Sequence, residues 1–122
     1  FREELGEEVV VTRGMDCCLN IYTKEQWNTL LEQLTKLPST KADARKFVRA
    51  MGAKTAHVEI DAQGRIKLPL NLIALAHLEK ECMVVGVLNY VEIWAKDKYE
   101  AMDAESNEAF ETIAESLTEF ML

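Results

Sequence analysis

The sequence has little of what builds catalytic, metal or membrane sites. Its 122 residues include three cysteines, Cys17, Cys18 and Cys82, and none of them forms a CxxC pair. The spacing of the three cysteines does not match a metal site. Their odd number and positions favour the interpretation that they are small buried side chains in a reducing cytoplasm. No apolar run approaches the roughly 18 residues that cross a bilayer. A membrane partner, a metal and a cofactor are therefore not expected.

Catalytic motifs are missing as well. The chain contains neither a glycine-rich phosphate loop nor a nucleophile elbow. Its two histidines, His57 and His77, have no candidate nucleophile near them in the sequence. A single histidine on a strand is more often structural than catalytic. We therefore expect a protein that is not an enzyme.

Charge is present in quantity, and it is unevenly distributed. The net charge is −7. Residues 97–122 hold eight acids and one base, so this segment alone accounts for −7. Residues 36–67 hold eight bases and three acids, which gives +5. The basic centre suits either contact with nucleic acid or a solvated helix face, and charge alone does not separate the two.

Hydrophobic periodicity predicts a mixture of strands and helices. Apolar residues at 9–12 and 18–22 predict two strands around a turn. Thr23 and Gln26 fit a capping box that starts a helix. A second helix is expected between the start signal at Thr40 and the stop at Gly52. A strand pair with its turn near Gly86–Asn89, and a long acidic C-terminal helix, are expected after residue 80.

The segment DAQGRIKLP, residues 61–69, predicts a hairpin with an outward-facing arginine. Gly64 is suited to the positive φ of a tight turn, and Asp61 to bonding the turn backbone. In the return strand Ile66 and Leu68 share one face, which leaves Arg65 and Lys67 on the other. An arginine held in this way suits guanine or phosphate. The alternative is that Arg65 pairs with Asp61 or Glu59 across the hairpin.

A shift of 72 residues aligns two parts of the chain. NIYTKEQW at 20–27 then matches EIWAKDKY at 92–99, and both segments lie at a predicted strand-to-helix junction. This pattern is typical of an internal duplication. The second half has a hairpin, residues 55–69, where the first has only FREELG at 1–6. We therefore predict a fragment of a tandem-repeat protein that lacks one Asp-x-x-Gly-Arg strand pair at its N-terminus.

The ordered series of segments resembles the MraZ family of bacterial regulators. The resemblance is carried by EEVVVTRGMDCCLNIYTKEQW, STKADARKFVRAMGA, the Asp61-x-x-Gly64-Arg65 hairpin, Pro69 and LEKECMVVGVLNYVEIW. It covers most of the chain and weakens in the acidic C-terminal segment. The short hairpin motif is unspecific, whereas the order of the segments is specific.

This resemblance implies an α+β fold of tandem AbrB-like swapped-hairpin β-barrel halves. The first half would span 1–37 without its N-terminal hairpin, the inter-repeat helix 38–52, the second half 53–100 and the acidic C-terminal helix 101–122.

The resemblance also implies a function. Members of the family form homo-oligomeric rings whose arginines bind repeated promoter sites on double-stranded DNA of the division and cell-wall gene cluster. The expected location is the cytoplasm and nucleoid.

Candidate DNA-binding residues follow from the motif. Asp61 and Arg65 match the family's motif, Gly64 is the turn residue between them, and Lys67 is an additional candidate for a phosphate contact. Two alternatives remain, which are a protein-interaction module that uses the hairpin only for association and an antitoxin-type regulator with a toxin-binding acidic segment.

Overall fold

The fold is a mixed α+β arrangement around one antiparallel sheet. A computed structural model describes residues 8–121 and the side chains of residues 8–120. The segment FREELG at 1–6 lies outside this range. The strands are β1 Glu8–Arg13, β2 Leu19–Thr23, β3 Thr55–Glu59, β4 Cys82–Val87 and β5 Tyr90–Ala95. The helices are α1 Lys24–Thr35, α2 Ala42–Ala53, α3 Leu70–Leu75, α4 Lys96–Glu108, α5 Phe110–Ser116 and α6 Thr118–Met121.

The sheet interleaves strands from the two ends of the chain. Its order is β3-β1-β2-β5-β4, and each neighbouring pair is antiparallel. The hairpin β1–β2 therefore lies between β3 on one side and β5 on the other. Segments that are distant in sequence thus form one continuous sheet.

The central pairing of β2 with β5 follows the 72-residue shift. Asn20 lies opposite Glu92, and these two positions are equivalent under that shift. The pairs on either side, Leu19 with Ile93 and Ile21 with Val91, exchange with each other under the same operation. The register is that of a local two-fold axis between Asn20 and Glu92.

One face of the sheet carries the main core. Alternate side chains of β1, β2 and β5 point to it, as expected from the period of two in a strand. Leu72 and Ala76 cover this face from α3 and the turn that follows it. The hairpin segment adds its apolar residues at the edge of the same core, which are Ala56, Val58, Ile60, Ile66 and Leu68. The predicted division of this segment into an apolar and a polar face is confirmed.

The opposite face is aromatic and partly polar. Trp27 of α1 is buried, and its ring centroid lies 6.3 Å from that of Tyr22. The Tyr22 centroid lies 5.6 Å from that of Tyr90. These contacts attach α1 to the junction of β2 and β5.

Of the predicted helix boundaries, the first is confirmed and the second is wrong. The Thr23 hydroxyl accepts from the Gln26 amide at 3.1 Å, and the Gln26 side chain accepts from the Thr23 amide at 3.0 Å. Helix α2 instead starts after Lys41, without a side-chain cap, and passes through Gly52 to Ala53. Gly52 lies inside the helix, which ends at Lys54. The Lys54 amide donates a hydrogen bond to the Met51 carbonyl, and β3 follows.

The predicted turn between the last two strands is confirmed, since it is formed by Leu88 and Asn89, with Leu88 at a φ of 51°, although Gly86 itself lies within β4. One further expectation from the sequence is corrected. The long C-terminal helix is divided into α4, α5 and α6, with breaks at Ala109 and Leu117. Within residues 8–121, none of the helices is both long enough and apolar enough to cross a membrane.

Candidate nucleic-acid interface

The bend at residues 61–65 is organised by the carboxylate of Asp61. Its Oδ1 atom accepts hydrogen bonds from the backbone amides of Gln63 at 2.9 Å and Arg65 at 2.8 Å. The Asp61 amide donates to the Arg65 carbonyl at 2.9 Å, and the Gly64 amide donates to the Asp61 carbonyl at 3.0 Å. Gly64 has a φ of 79°, the left-handed region that glycine adopts at low cost. The predicted roles of Asp61 and Gly64 in the turn are therefore confirmed.

The Arg65 side chain is exposed at the end of this bend. Among residues 8–120, no carboxylate lies within ion-pair distance of its guanidinium. The cross-hairpin ion pair with Asp61 or Glu59 is thus not formed, and Asp61 Oδ1 accepts from two backbone amides instead. The geometry leaves all five guanidinium donors available to a ligand.

The segment after Arg65 differs from the sequence expectation. Residues 65–68 do not form a ladder with β3 in the described chain, so the predicted return strand is wrong. One backbone bond, from Asp61 to Arg65, closes the bend, after which the segment follows the main core. Ile66 and Leu68 pack against that core while Lys67 is exposed. Packing rather than strand pairing therefore holds Arg65 and Lys67 on the outer side.

The polar side of β3 contributes two more exposed residues, His57 and Glu59. The His57 Nδ1 atom lies 4.0 Å from a Glu8 carboxylate oxygen, and Lys24 Nζ lies 3.1 Å from the other oxygen of that carboxylate. Glu8 therefore occupies the space between β3 and α1. His57 has a structural neighbour and no candidate nucleophile among its described contacts.

The basic residues of α2 form a separate feature. Lys41, Arg45, Lys46 and Arg49 are all exposed. The Arg45 Nη1 atom donates to the Ser39 carbonyl at 2.8 Å, which fixes its guanidinium near the start of the helix. Each of these side chains belongs to α2 or its N-cap, outside the Asp61–Arg65 bend.

A partly buried polar cluster at the sheet centre escaped the sequence reasoning. The Glu92 carboxylate accepts from Trp94 Nε1 at 3.0 Å and from Cys18 Sγ at 3.7 Å. Burial, with a smaller contribution from Glu92, raises the pKa of the Cys18 thiol to about 11. Burial also raises the pKa of Tyr22, whose hydroxyl accepts from Asn20 Nδ2 at 3.1 Å. The alternation in YVEIW, which places Glu92 and Trp94 on one face, was the available signal.

The cysteines divide by burial, and the described chain holds no metal-binding group. Cys18 is buried, whereas Cys17 and Cys82 are exposed, so the expectation of three buried thiols holds for Cys18 alone. All three are free thiols. Within residues 8–121, no three His, Cys, Asp or Glu side chains are grouped as metal ligands would be.

Comparison with known proteins shows a matching family model and a similar curated protein. A family model described as "MraZ protein, putative antitoxin-like" matches residues 1–50 and again residues 51–121. A curated protein of Ligilactobacillus salivarius (strain UCC118), named "Transcriptional regulator MraZ", is 52% identical over 122 residues. That alignment covers all of this chain and 85% of the relative.

Proposed function

This chain belongs to the MraZ family, and on that premise we propose that it regulates transcription by binding double-stranded DNA through the exposed guanidinium of Arg65. Regulation rather than catalysis is its role, in keeping with the name of the relative that shares 52% of its residues. The observation that supports Arg65 is the bonding of Asp61. Because the Asp61 Oδ1 atom accepts two backbone amides, it holds the bend without neutralising the arginine.

The chemistry proposed for Arg65 is direct readout of a base. A guanidinium presents paired N–H donors that match the O6 and N7 acceptors of guanine in the major groove. The Asp61–Gly64 bend fixes the arginine backbone, so less backbone freedom is lost on binding. Lys67, two residues further on and equally exposed, is placed to contact a phosphate.

The proposed architecture is a tandem of AbrB-like swapped-hairpin halves, with the boundaries 1–37, 38–52, 53–100 and 101–122. Two observations support it. The family model matches twice in succession along the chain. Strand β3 of the second half pairs with β1 of the first, so the halves exchange strands within one sheet.

Self-association is the second part of the proposal. One arginine on a narrow loop provides little affinity, since DNA binding depends on several phosphate and base contacts made together. A homo-oligomeric ring that presents many copies of Arg65 to repeated promoter sites raises the effective concentration of each after the first has bound. The proposed targets are repeated sites upstream of the division and cell-wall gene cluster, in the nucleoid.

The decisive experiment is a binding titration with the promoter DNA of the protein's own gene cluster. Arg65→Ala is expected to weaken binding roughly 5- to 150-fold per site, the equivalent of one lost bidentate base contact. Lys80→Ala, which removes an exposed base outside the bend, is the matched control and is expected to bind normally. Equal affinity of Arg65→Ala and the wild type, with folding intact, would exclude Arg65 as the reading residue.

A second candidate function is an antitoxin-type interaction module. The matching family description contains the words antitoxin-like, and the acidic segment 108–120 is exposed. On this alternative the acidic segment binds a small basic protein, and Arg65 has no role in specific binding. Copurification of such a partner, lost when residues 108–121 are removed, together with promoter binding that is insensitive to Arg65→Ala, would favour it.

A further inference from the structure

Helix α2 has an apolar face that the described chain leaves partly uncovered. Phe47 is 37% exposed and Val48 is 41% exposed, although both lie on the hydrophobic side of the helix. Between α2 and the end of α1 lies a groove of about 290 Å³, here called the α1–α2 groove. Its lining is apolar apart from Ser39 and two arginines, and consists of Leu34, Leu37, Ser39, Ala44, Arg45, Val48 and Arg49.

The C-terminal helices carry a second uncovered apolar face. Phe110 is 67% exposed, Phe120 is 75% exposed, and Ile113 and Leu117 are each 45% exposed. These four residues, spaced three to four apart along α5 and α6, are here called the C-terminal stripe. Within α5 this spacing places Phe110 and Ile113 on one side of the helix, and Leu117 and Phe120 continue the same interval across the break at Leu117. Apolar surface of this extent on two elements of one chain indicates an interaction site rather than a solvated surface.

The two surfaces are complementary in charge. Residues 41–49 hold four bases and one acid, whereas residues 108–119 hold four acids and no base. Among residues 8–120, no basic group lies within ion-pair distance of the acids on α5 and α6. Arg45 and Arg49 line the α1–α2 groove, so acids of a segment bound there would lie within about 10 Å of them, a distance over which charges attract without full screening by salt.

We infer that the C-terminal stripe of one copy docks into the α1–α2 groove of a second copy. The occupant is a second copy because, within one chain, the stripe and the groove both stay exposed and neither covers the other. DNA is a poorer occupant of the groove, since its lining is mostly aliphatic. The inference names the interface for the self-association in the proposed function, and it rests on that part alone.

This contact is heterologous, so every copy offers one stripe and one groove. A heterologous contact that closes on itself produces a ring, and one that does not close produces a filament. The acidic segment, which lies outside the sheet, thereby becomes the element that joins neighbouring subunits. Arg65 is not among the residues that line the groove, so association and DNA contact use different residues.

The test uses paired charge reversals in the full 122-residue chain, with mass measured by light scattering. The wild type is expected to form particles much larger than the 13.9 kDa chain. Arg45→Glu with Arg49→Glu reverses the groove, and Glu111→Lys with Glu115→Lys reverses the C-terminal segment. Each pair is expected to shift the mass to that of a single chain. The control for the C-terminal pair is Glu100→Lys with Asp103→Lys, at exposed positions on α4. It changes the net charge as much as Glu111→Lys with Glu115→Lys does, and it is expected to keep the large particle.

Restoration of assembly provides the stronger result. A mixture of the two reversed variants, or one chain that carries all four reversals, again pairs opposite charges at each contact and is expected to regain the wild-type mass. Thermal unfolding of every variant checks that loss of assembly is not loss of folding.

The outcomes separate this inference from the proposed function. Large particles of every variant would overturn the interface and leave DNA binding through Arg65 untouched. A monomeric wild type would overturn both the interface and the proposed ring. Loss of DNA binding in Arg45→Glu with Arg49→Glu at unchanged particle mass would assign α2 to DNA and also overturn the interface.

Discussion

Asn20 lies directly opposite Glu92 in the central strand pair, at two positions that are separated by the interval of 72 residues. A two-fold relationship between β2 and β5 follows from this register alone. The side chains nevertheless differ in their bonding. Asn20 donates to Tyr22, whereas Glu92 accepts from Trp94 and Cys18. The symmetric backbone therefore carries an asymmetric, partly buried cluster, and the Glu92 carboxylate is its main acceptor.

Replacement of Glu92 tests that cluster. Glu92→Ala removes the acceptor of the Trp94 indole N–H, whose residue is buried, and is expected to lower the free energy of unfolding by about 1–3 kcal/mol. Glu92→Gln keeps one acceptor oxygen and is expected to cost less. Urea unfolding followed by tryptophan fluorescence gives both values. Equal stability of the wild type and Glu92→Ala would show that the cluster contributes nothing.

Two glycines provide a matched pair for stability. A Cβ atom at Gly14 would lie 2.5 Å from Cys18 Sγ and 3.2 Å from the Cys18 carbonyl oxygen, whereas a Cβ at Gly52 meets nothing within 4 Å. Gly14→Ala is therefore expected to destabilise the protein by roughly 1–3 kcal/mol through overpacking. Gly52→Ala, inside α2, is expected to stabilise it by about 0.5–1 kcal/mol. Thermal melts that rank the two variants in the opposite order would contradict the packing at Gly14.

The raised pKa of Cys18 predicts how this thiol reacts with alkylating reagents and how the stability of the fold depends on pH. Since the folded chain keeps this thiol protonated to a pKa of about 11 while the unfolded chain releases the proton near 9.0, its stabilising contribution is complete below pH 9. That contribution is lost as the pH rises towards 11. Tyr22 and Tyr90, whose pKa values are also raised by burial, act in the same direction.

The chemical consequence is selective labelling. At pH 8 an alkylating reagent is expected to modify the exposed Cys17 and Cys82 and to leave Cys18 unmodified until the protein unfolds. Mass spectrometry of the labelled peptides checks this. For the pH dependence, Cys18→Ala is expected to flatten the fall in unfolding free energy between pH 9 and 11. Rapid labelling of Cys18 in the native protein would contradict its burial.

Substitution of Asp61 separates the bend from the charge. Asp61→Asn keeps a side-chain oxygen for the Gln63 and Arg65 amides and is expected to bind promoter DNA about as well as the wild type. Asp61→Ala removes that acceptor, loosens the arginine backbone and is expected to weaken binding about 10-fold, on the order of 1.4 kcal/mol. Tighter binding by Asp61→Ala would show that the carboxylate acts chiefly by repelling phosphate.

Local signals were the most reliable part of the sequence. The Thr23–Gln26 capping box and the Asp61–Gly64 bend depend on residues within four positions of one another, and the structure contains both. Binary alternation also placed Val58 and Ile66 on the core side correctly. In these cases the sequence pattern and the physical cause involve the same few residues.

Tertiary competition explains the remainder. The helix begins after Lys41, so the Thr40 start signal is not used. Residues 65–68 pack on the core through Ile66 and Leu68 instead of pairing with β3. The pairing of β3 with β1, and the exposure of Phe110 and Leu117, depend on partners far along the chain or on another molecule. The availability of Arg65 likewise followed from the bonding of Asp61, which composition does not reveal.

The position of the β1–β2 hairpin between β3 and β5 has one more consequence. Hydrogen-bonded strands on both sides of that hairpin join the part of the chain before residues 36–41 to the part after them. The covalent connection at 36–41 is therefore not what holds these two parts together. A protease that cleaves this exposed loop leaves the two fragments joined by the pairing of β1 with β3 and of β2 with β5, as in split-protein reporters. The loop is accordingly the natural point at which to separate the gene into two co-expressed pieces.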